Sequence, residues 1–317
     1  MLISASRRTD IPACYPLWFL NRMREGYVLV PNPRNPRQLS RISLSKDDVE
    51  GIVFWTKNPL PLLPYLDELF GFGIPLGFQF TLTPYGRDIE PNLPDKEDLM
   101  QAFCALSERL GPEKMVWRYD PVLLSHDWTI QRHLAAFSEI AGRLKGRTGR
   151  CVFSFIDWYQ KLSPAGKALA AHSWTEEEKR AVAQGCSSIA NKYGMKLSAC
   201  CENADLNRWG VIQEPCISEE FAESIIGAPV RGKKDPRQRT ACGCIQSADV
   251  GSYDSCRNGC LYCYANSSEQ AVFRNTSRHC ADSPTLIGYP DPEAKIVSRK
   301  LPSIRAAQMQ LSLKNQK

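Results

Sequence analysis

What most constrains this chain is an alternation. Short apolar runs recur along it, and most are followed by a longer segment of helical period. Strands covered on both faces read as continuous apolar runs, and parallel neighbours need a crossover that is usually a helix. The pattern therefore predicts repeated βα units around a parallel sheet. The runs are Leu2–Ala5, Ile52–Trp55, Leu76–Thr81, Met115–Trp117, Cys151–Phe155 and Lys196–Ala199, with a doubtful seventh at Tyr27–Val30 before a proline-rich loop over 31–36. Helices are expected from Pro16 to Met23, closed by Gly26, then over 60–70, from a cap at Asp95 to Leu110, over 130–144 and over 175–192. Six strands and a candidate fit a complete or partial (β/α) barrel better than a two-faced open sheet. At 317 residues the chain can bury one sizeable core with an appendage.

In parallel α/β folds the site gathers at the C-terminal ends of the strands, where loops and helix N-termini meet. Nearly every run here ends in polar or charged residues: Ser6-Arg7-Arg8-Thr9-Asp10, Thr56-Lys57-Asn58-Pro59, Arg118-Tyr119-Asp120-Pro121, Asp157-Trp158-Tyr159 and Cys200-Cys201-Glu202, with Gln79 and Thr81 inside the remaining run. Six such endings define a mouth with both charges and several aromatic rings. It suits a polar ligand carrying carboxylate, ammonium and a flat ring. The residues expected to line it and to act there are Arg7, Lys57, Arg118, Asp120 and Glu202. Arginine grips a carboxylate or phosphate with a bidentate fork, and lysine supplies a point charge. Arg118 and Asp120 also suit a structural ion pair. His126, His133, His172 and His279 show no ligand spacing and read as surface or core-edge residues.

Thirteen cysteines in a long chain, several clustered near the C-terminus and with no secretory pattern at Met1–Arg8, indicate metal chemistry in a reducing, cytoplasmic setting rather than disulfides. No apolar run is long enough to span a membrane. Cys256, Cys260 and Cys263 stand at i, i+4 and i+7, with Gly259 allowing a bend between them. Three such thiols can close on an iron–sulfur cluster and leave one iron without a protein ligand; soft thiolates also suit zinc. Cys242-Gly243-Cys244 precedes the loop by about a dozen residues and has several readings open to it. One of the two can supply a fourth ligand to an iron–sulfur or zinc site in the loop, or the pair can hold a second metal or act as a redox couple. Cys14, Cys104, Cys151 and Cys186 fall inside expected elements and read as small buried hydrophobes.

The net charge of +6 is uneven, because the segments 231–239 and 291–317 together carry +8. Such a basic cap can attract nucleic acid or a phosphorylated substrate, although solvated basic loops look the same. The organisation expected is a barrel-like domain over 1–230, a cysteine-rich cluster region over 231–290 and a basic tail over 291–317.

Several of these stretches resemble one family. Ser6 to Pro12, Phe54 to Pro59, Arg118 to Pro121, and Cys242-Gly243-Cys244 followed by Cys256, Cys260 and Cys263-Tyr264-Ala265 are similar to the bacterial family called domain of unknown function 1848, over about residues 1–266. Its C-terminal cysteines are described as similar to the cluster motif of radical S-adenosylmethionine (SAM) enzymes. The resemblance implies a radical-SAM-like barrel and a [4Fe-4S] cluster on Cys256, Cys260 and Cys263. The family supplies no reaction; the likeness of Cys256, Cys260 and Cys263 to the radical SAM cluster loop is what implies SAM on the open iron, a radical reaction on an unknown polar substrate, and an electron donor such as flavodoxin or ferredoxin. Zinc remains the alternative metal, within a non-catalytic module that contacts nucleic acid or a protein through the basic cap. In radical SAM barrels the cluster loop follows the first strand. Here it follows the last, a position that a nearly closed barrel brings next to the first.

Overall fold

The structure, a computed structural model, describes residues 1–306 apart from 34, 158–159, 161 and 203–204, and apart from the side chain of 36. Trp158, Tyr159 and residues 307–317 of the basic tail therefore lie outside the described residues. In chain order the strands are β1 Leu2–Ala5, β2 Tyr27–Asn32, β3 Asn35–Ser43, β4 Gly51–Thr56, β5 Leu76–Thr81, β6 Met115–Val122, β7 Arg150–Phe155, β8 Lys196–Ala199, β9 Ile212–Gln213, β10 Ser247–Asp249 and β11 Lys295–Ser298.

Eight of them form one parallel sheet in the order β10-β1-β4-β5-β6-β7-β8-β9. The six clear apolar runs are its six consecutive inner strands. An eight-stranded parallel sheet with helical crossovers is compatible with a partial α/β barrel, whose open seam lies between β9 and β10. Tyr27–Asn32 is a strand, but of a second sheet, ordered β11-β3-β2. The expected proline-rich loop over 31–36 thus holds the end of β2 and the start of β3. Pro31 is tolerated because β2 is an edge strand.

Alternation along the strands sorts the two faces of the main sheet. Ile52, Phe54, Phe78, Phe80, Met115, Trp117, Cys151 and Phe153 lie in the large core with the helices Pro16–Glu25, Lys96–Leu110, Ile130–Arg143 and Glu176–Lys192. Leu2, Val53, Val116 and Val152 point the other way, into a separate core closed by Ile217, Phe221, Ile225 and Ile245. The short helix Glu219–Ile226 is thus a plug across the inner face. Above the plug the inward positions turn polar: Ser4, Trp55, Gln79, Arg118, Asp120 and Ser154.

Local chemistry explains most helix boundaries. Thr175 and Glu178 form a reciprocal capping box, and Gly26 closes the first long helix at φ +75°. Asp95 precedes its helix without a side-chain cap bond. The segment over 60–71 is a 3₁₀ turn, Leu60–Tyr65, followed by α-helix Leu66–Gly71, because Pro61 and Pro64 remove amide donors. Among the described residues no helix is long and apolar enough to cross a membrane.

Candidate functional site

The mouth forms where the inner strands run out. Asp10 caps the first short helix through Ala13 N–H (3.0 Å) and also accepts from Lys57 N–H (2.7 Å) and Asn258 Nδ2 (2.9 Å). One buried carboxylate therefore ties the ends of β1 and β4 to the cysteine loop, and burial raises its pKa. Asp249, at the end of β10, accepts from Ser6 Oγ (2.6 Å), Ser4 Oγ (3.1 Å) and Arg7 N–H (2.9 Å).

Lys57 Nζ donates to Glu90 at 2.8 Å and lies 5.2 Å from the Tyr262 ring centre. Glu90 is buried and also accepts from Lys96 Nζ (2.5 Å), Thr83 Oγ1 (2.8 Å) and the Tyr262 hydroxyl. Burial alone would raise its pKa, but the ammoniums of Lys57 and Lys96 outweigh that and hold it at about 2.

Arg7 and Arg118 both stack on Trp55, at 4.6 and 5.2 Å from its ring centre. Arg118 pairs with Asp120 and donates to Gln79 Oε1 (3.3 Å) and Cys216 Sγ (3.0 Å). Asp120 also accepts from Ser154. Arg7 donates to Ser247 Oγ at 3.3 Å, yet its Nη2 and the Trp55 Nε1 are buried with no partner among the described residues. Buried donors of that kind are suited to accepting groups on a ligand.

Glu202 stands apart from these groups. It accepts from Phe155 N–H at 3.0 Å and borders a cleft of about 410 Å³ with Asp157, Trp174, Lys179, Cys201 and Arg239. Burial raises its pKa to about 7, helped by Asp157 and Asp120. Arg239 pairs with Asp157 at 2.7 Å, which brings the basic segment over 231–239 to the rim of the cleft.

Gly259 holds φ +70° in the cysteine loop, the bend its sequence position suggested. Asn258 and Tyr262, flanking it, anchor the loop on Asp10 and Glu90. Cys256, Cys260 and Cys263 are half-buried; Ala265 N–H donates to Cys263 Sγ at 3.4 Å, and Lys57 exerts its charge on Cys260. Cys14 does more than fill the core, because its Sγ accepts from Arg257 N–H at 3.4 Å and its carbonyl from Arg257 Nη2 at 2.8 Å, and the neighbouring Cys256 thiol lowers its pKa.

The second thiol group is closer-knit. The Sγ atoms of Cys200, Cys242 and Cys244 all lie within 4.8 Å of one another, so these three cysteines can bind a metal ion. Cys201 Sγ lies 3.8 Å from Cys200 Sγ, and Cys216 is near enough to act on the Cys200 thiol, whose pKa it raises. Cys242 and Cys244 are thus gathered with Cys200 rather than with the loop. Hydrogen bonds from neighbouring thiols lower the pKa of both.

Sequence reasoning missed Glu90, Asp249 and Cys14; it leaves Cys200, Cys201, Cys216 and Cys280 open as thiols that could feed a second cluster, with no spacing to argue for it, and the structure gathers Cys200 with Cys242 and Cys244. Glu90 and Cys216 sit in stretches without motif spacing. His133 departs from the surface or core-edge expectation: it is buried, accepting from the Tyr119 hydroxyl at Nδ1 (2.9 Å) and donating from Nε2 to Leu123 O (2.6 Å).

The family described as domain of unknown function (DUF1848) matches residues 2–265. No curated protein matches the sequence. Among solved structures, a "putative alpha-L-fucosidase" from Bacteroides thetaiotaomicron VPI-5482 is similar at 12% identity and a TM-score of 0.27, over 69% of this chain and 82% of that one. A likeness that loose bears on neither mechanism nor substrate.

Proposed function

We propose that this chain, which belongs to the DUF1848 family, is a radical-SAM-like iron–sulfur enzyme whose cluster loop is Cys256 to Cys263. The observation that carries the reading is the pairing of β10 with β1, Leu2 opposite Ser247 through Ser4 opposite Asp249. The loop that leaves β10 therefore enters the mouth beside the end of the first strand, although it comes late in the sequence.

The residues present fit such a group. The donor set is three thiols with no histidine or carboxylate among them, which favours iron–sulfur or zinc. Cys256, Cys260 and Cys263 do not all lie within the 4.8 Å that gathers the second group. Cys256, Cys260 and Cys263 would hold a [4Fe-4S] cluster, and the chemistry it would supply there is the one-electron reductive cleavage of SAM that starts hydrogen abstraction from a substrate.

The chain's own residues supply the rest. Asp10 and Glu90 fix the loop through Asn258 and Tyr262. Arg7, over the Trp55 ring, offers a carboxylate its positive charge and an Nη2 unpartnered among the described residues, and the Trp55 Nε1 offers a second donor, while Arg118, paired with Asp120, helps hold the ring in place. Glu202, half-ionised near neutrality, can take or give a proton at its carboxylate oxygens, facing the cleft. An electron donor and any partner of the basic cap would dock outside this mouth.

Anaerobic purification with iron and sulfide assays tests the loop assignment. About four irons per chain are expected, lost in Cys256→Ser, Cys260→Ser and Cys263→Ser alike. Iron retained in all three variants would refute it.

A further inference from the structure

We propose that Cys200, Cys216, Cys242 and Cys244 form a second metal site, independent of the loop, that takes one tetrahedral ion of the zinc class and pins the open seam of the sheet. Zinc–thiolate bonds of about 2.3 Å place tetrahedral sulfurs about 3.8 Å apart. Three Sγ atoms already lie within 4.8 Å of one another, and Cys216, outside that trio but near enough to act on the thiols of Cys200 and Cys244, would turn inward as the fourth ligand.

The backbone is arranged for it. Cys200 directly follows β8, Cys216 follows β9, and Cys242 and Cys244 precede β10, so the four ligands come from both sides of the β9–β10 seam. In the segments facing each other there, Ile245 N–H donates to Ile217 O at 3.0 Å. Gly243 is required by the closeness of approach, since a Cβ there would lie 2.9 Å from Pro215 Cγ. Ile217 N–H donates to Cys244 Sγ at 3.4 Å and Arg118 Nη1 to Cys216 Sγ at 3.0 Å, the N–H···S bonds that offset charge on metal-bound thiolates. Arg7 exerts a second positive charge on Cys244 and Cys216. On binding, the four thiols release their protons and the ion is saturated by protein, as in structural zinc sites.

The site is structural and holds whether or not the loop carries iron. The full chain, purified anaerobically, should retain about one zinc after dialysis. Cys242→Ser and Cys200→Ser should lose the zinc and keep the loop's iron, and Cys260→Ser should do the reverse. Should the seam variants fail to fold, cobalt(II) exchanged into the wild-type chain should give the visible bands of a tetrahedral tetrathiolate. Zinc absent from wild type, zinc undiminished in Cys242→Ser, loss of iron in Cys242→Ser with Cys260→Ser unaffected, or an octahedral cobalt spectrum would each overturn the proposal.

Discussion

A buried carboxylate shared by two ammoniums and a phenol is a concentrated commitment. Removing one partner of a buried ion pair costs about 3–5 kcal/mol, because the other charge stays in place uncompensated. Glu90→Gln leaves Lys57 and Lys96 in that position, and urea denaturation should register a loss of that order. The pH dependence has a definite sign. Glu90 is depressed from 4.5 to about 2, so its contribution is present above about pH 4.5 and lost as pH falls through about 2. Glu202 runs the opposite way. Its pKa is raised from 4.5 to about 7, so its contribution is complete below 4.5 and lost as pH rises through 7. The melting temperature of wild type relative to Glu202→Gln should therefore fall between pH 4.5 and 7; a flat difference would show that the carboxyl is solvated. The placement of Arg7, Lys57, Arg118 and Asp120 was legible in the sequence because each lies at or just beyond the end of an apolar run. Glu90 was not, because it lies in a loop and only the fold brings it under Lys57.

At the scale of elements, the six inner strands could be read because their faces are both buried, which makes the runs continuous. β9, β10 and β11 are two to four residues long and carry polar residues, so no periodicity marks them. β10 is the costly omission, since it sets the position of the cysteine loop. The plug helix was also unread: its eight residues are too few for a helical period to stand out. Its apolar face nevertheless closes the inner core, with Ile225 2% exposed among Phe221, Ala222 and Ile226. Ile225→Ala should cost about 2–5 kcal/mol by transfer and cavity terms together. Chemical denaturation checks this, and a loss below about 1 kcal/mol would mean that the plug relaxes around the gap.

For the whole molecule, the eight-stranded sheet brings a loop from near the C-terminus next to the first strand, and it gathers a second thiol group from the segments around β8, β9 and β10. The spacing of Cys256, Cys260 and Cys263 was visible in the sequence. The second group was not, because its ligands come from separate segments and only Cys242 and Cys244 are near in sequence. A radical mechanism requires that the loop cluster keep one iron open to SAM. Electron paramagnetic resonance of the anaerobically reduced full chain, with and without SAM, tests it most directly. A reduced-cluster signal that SAM shifts, and that still shifts in a zinc-free Cys242→Ser chain, is the predicted result. A signal indifferent to SAM, or no iron signal beside tightly held zinc, would contradict it and leave a metal-stabilised binding module.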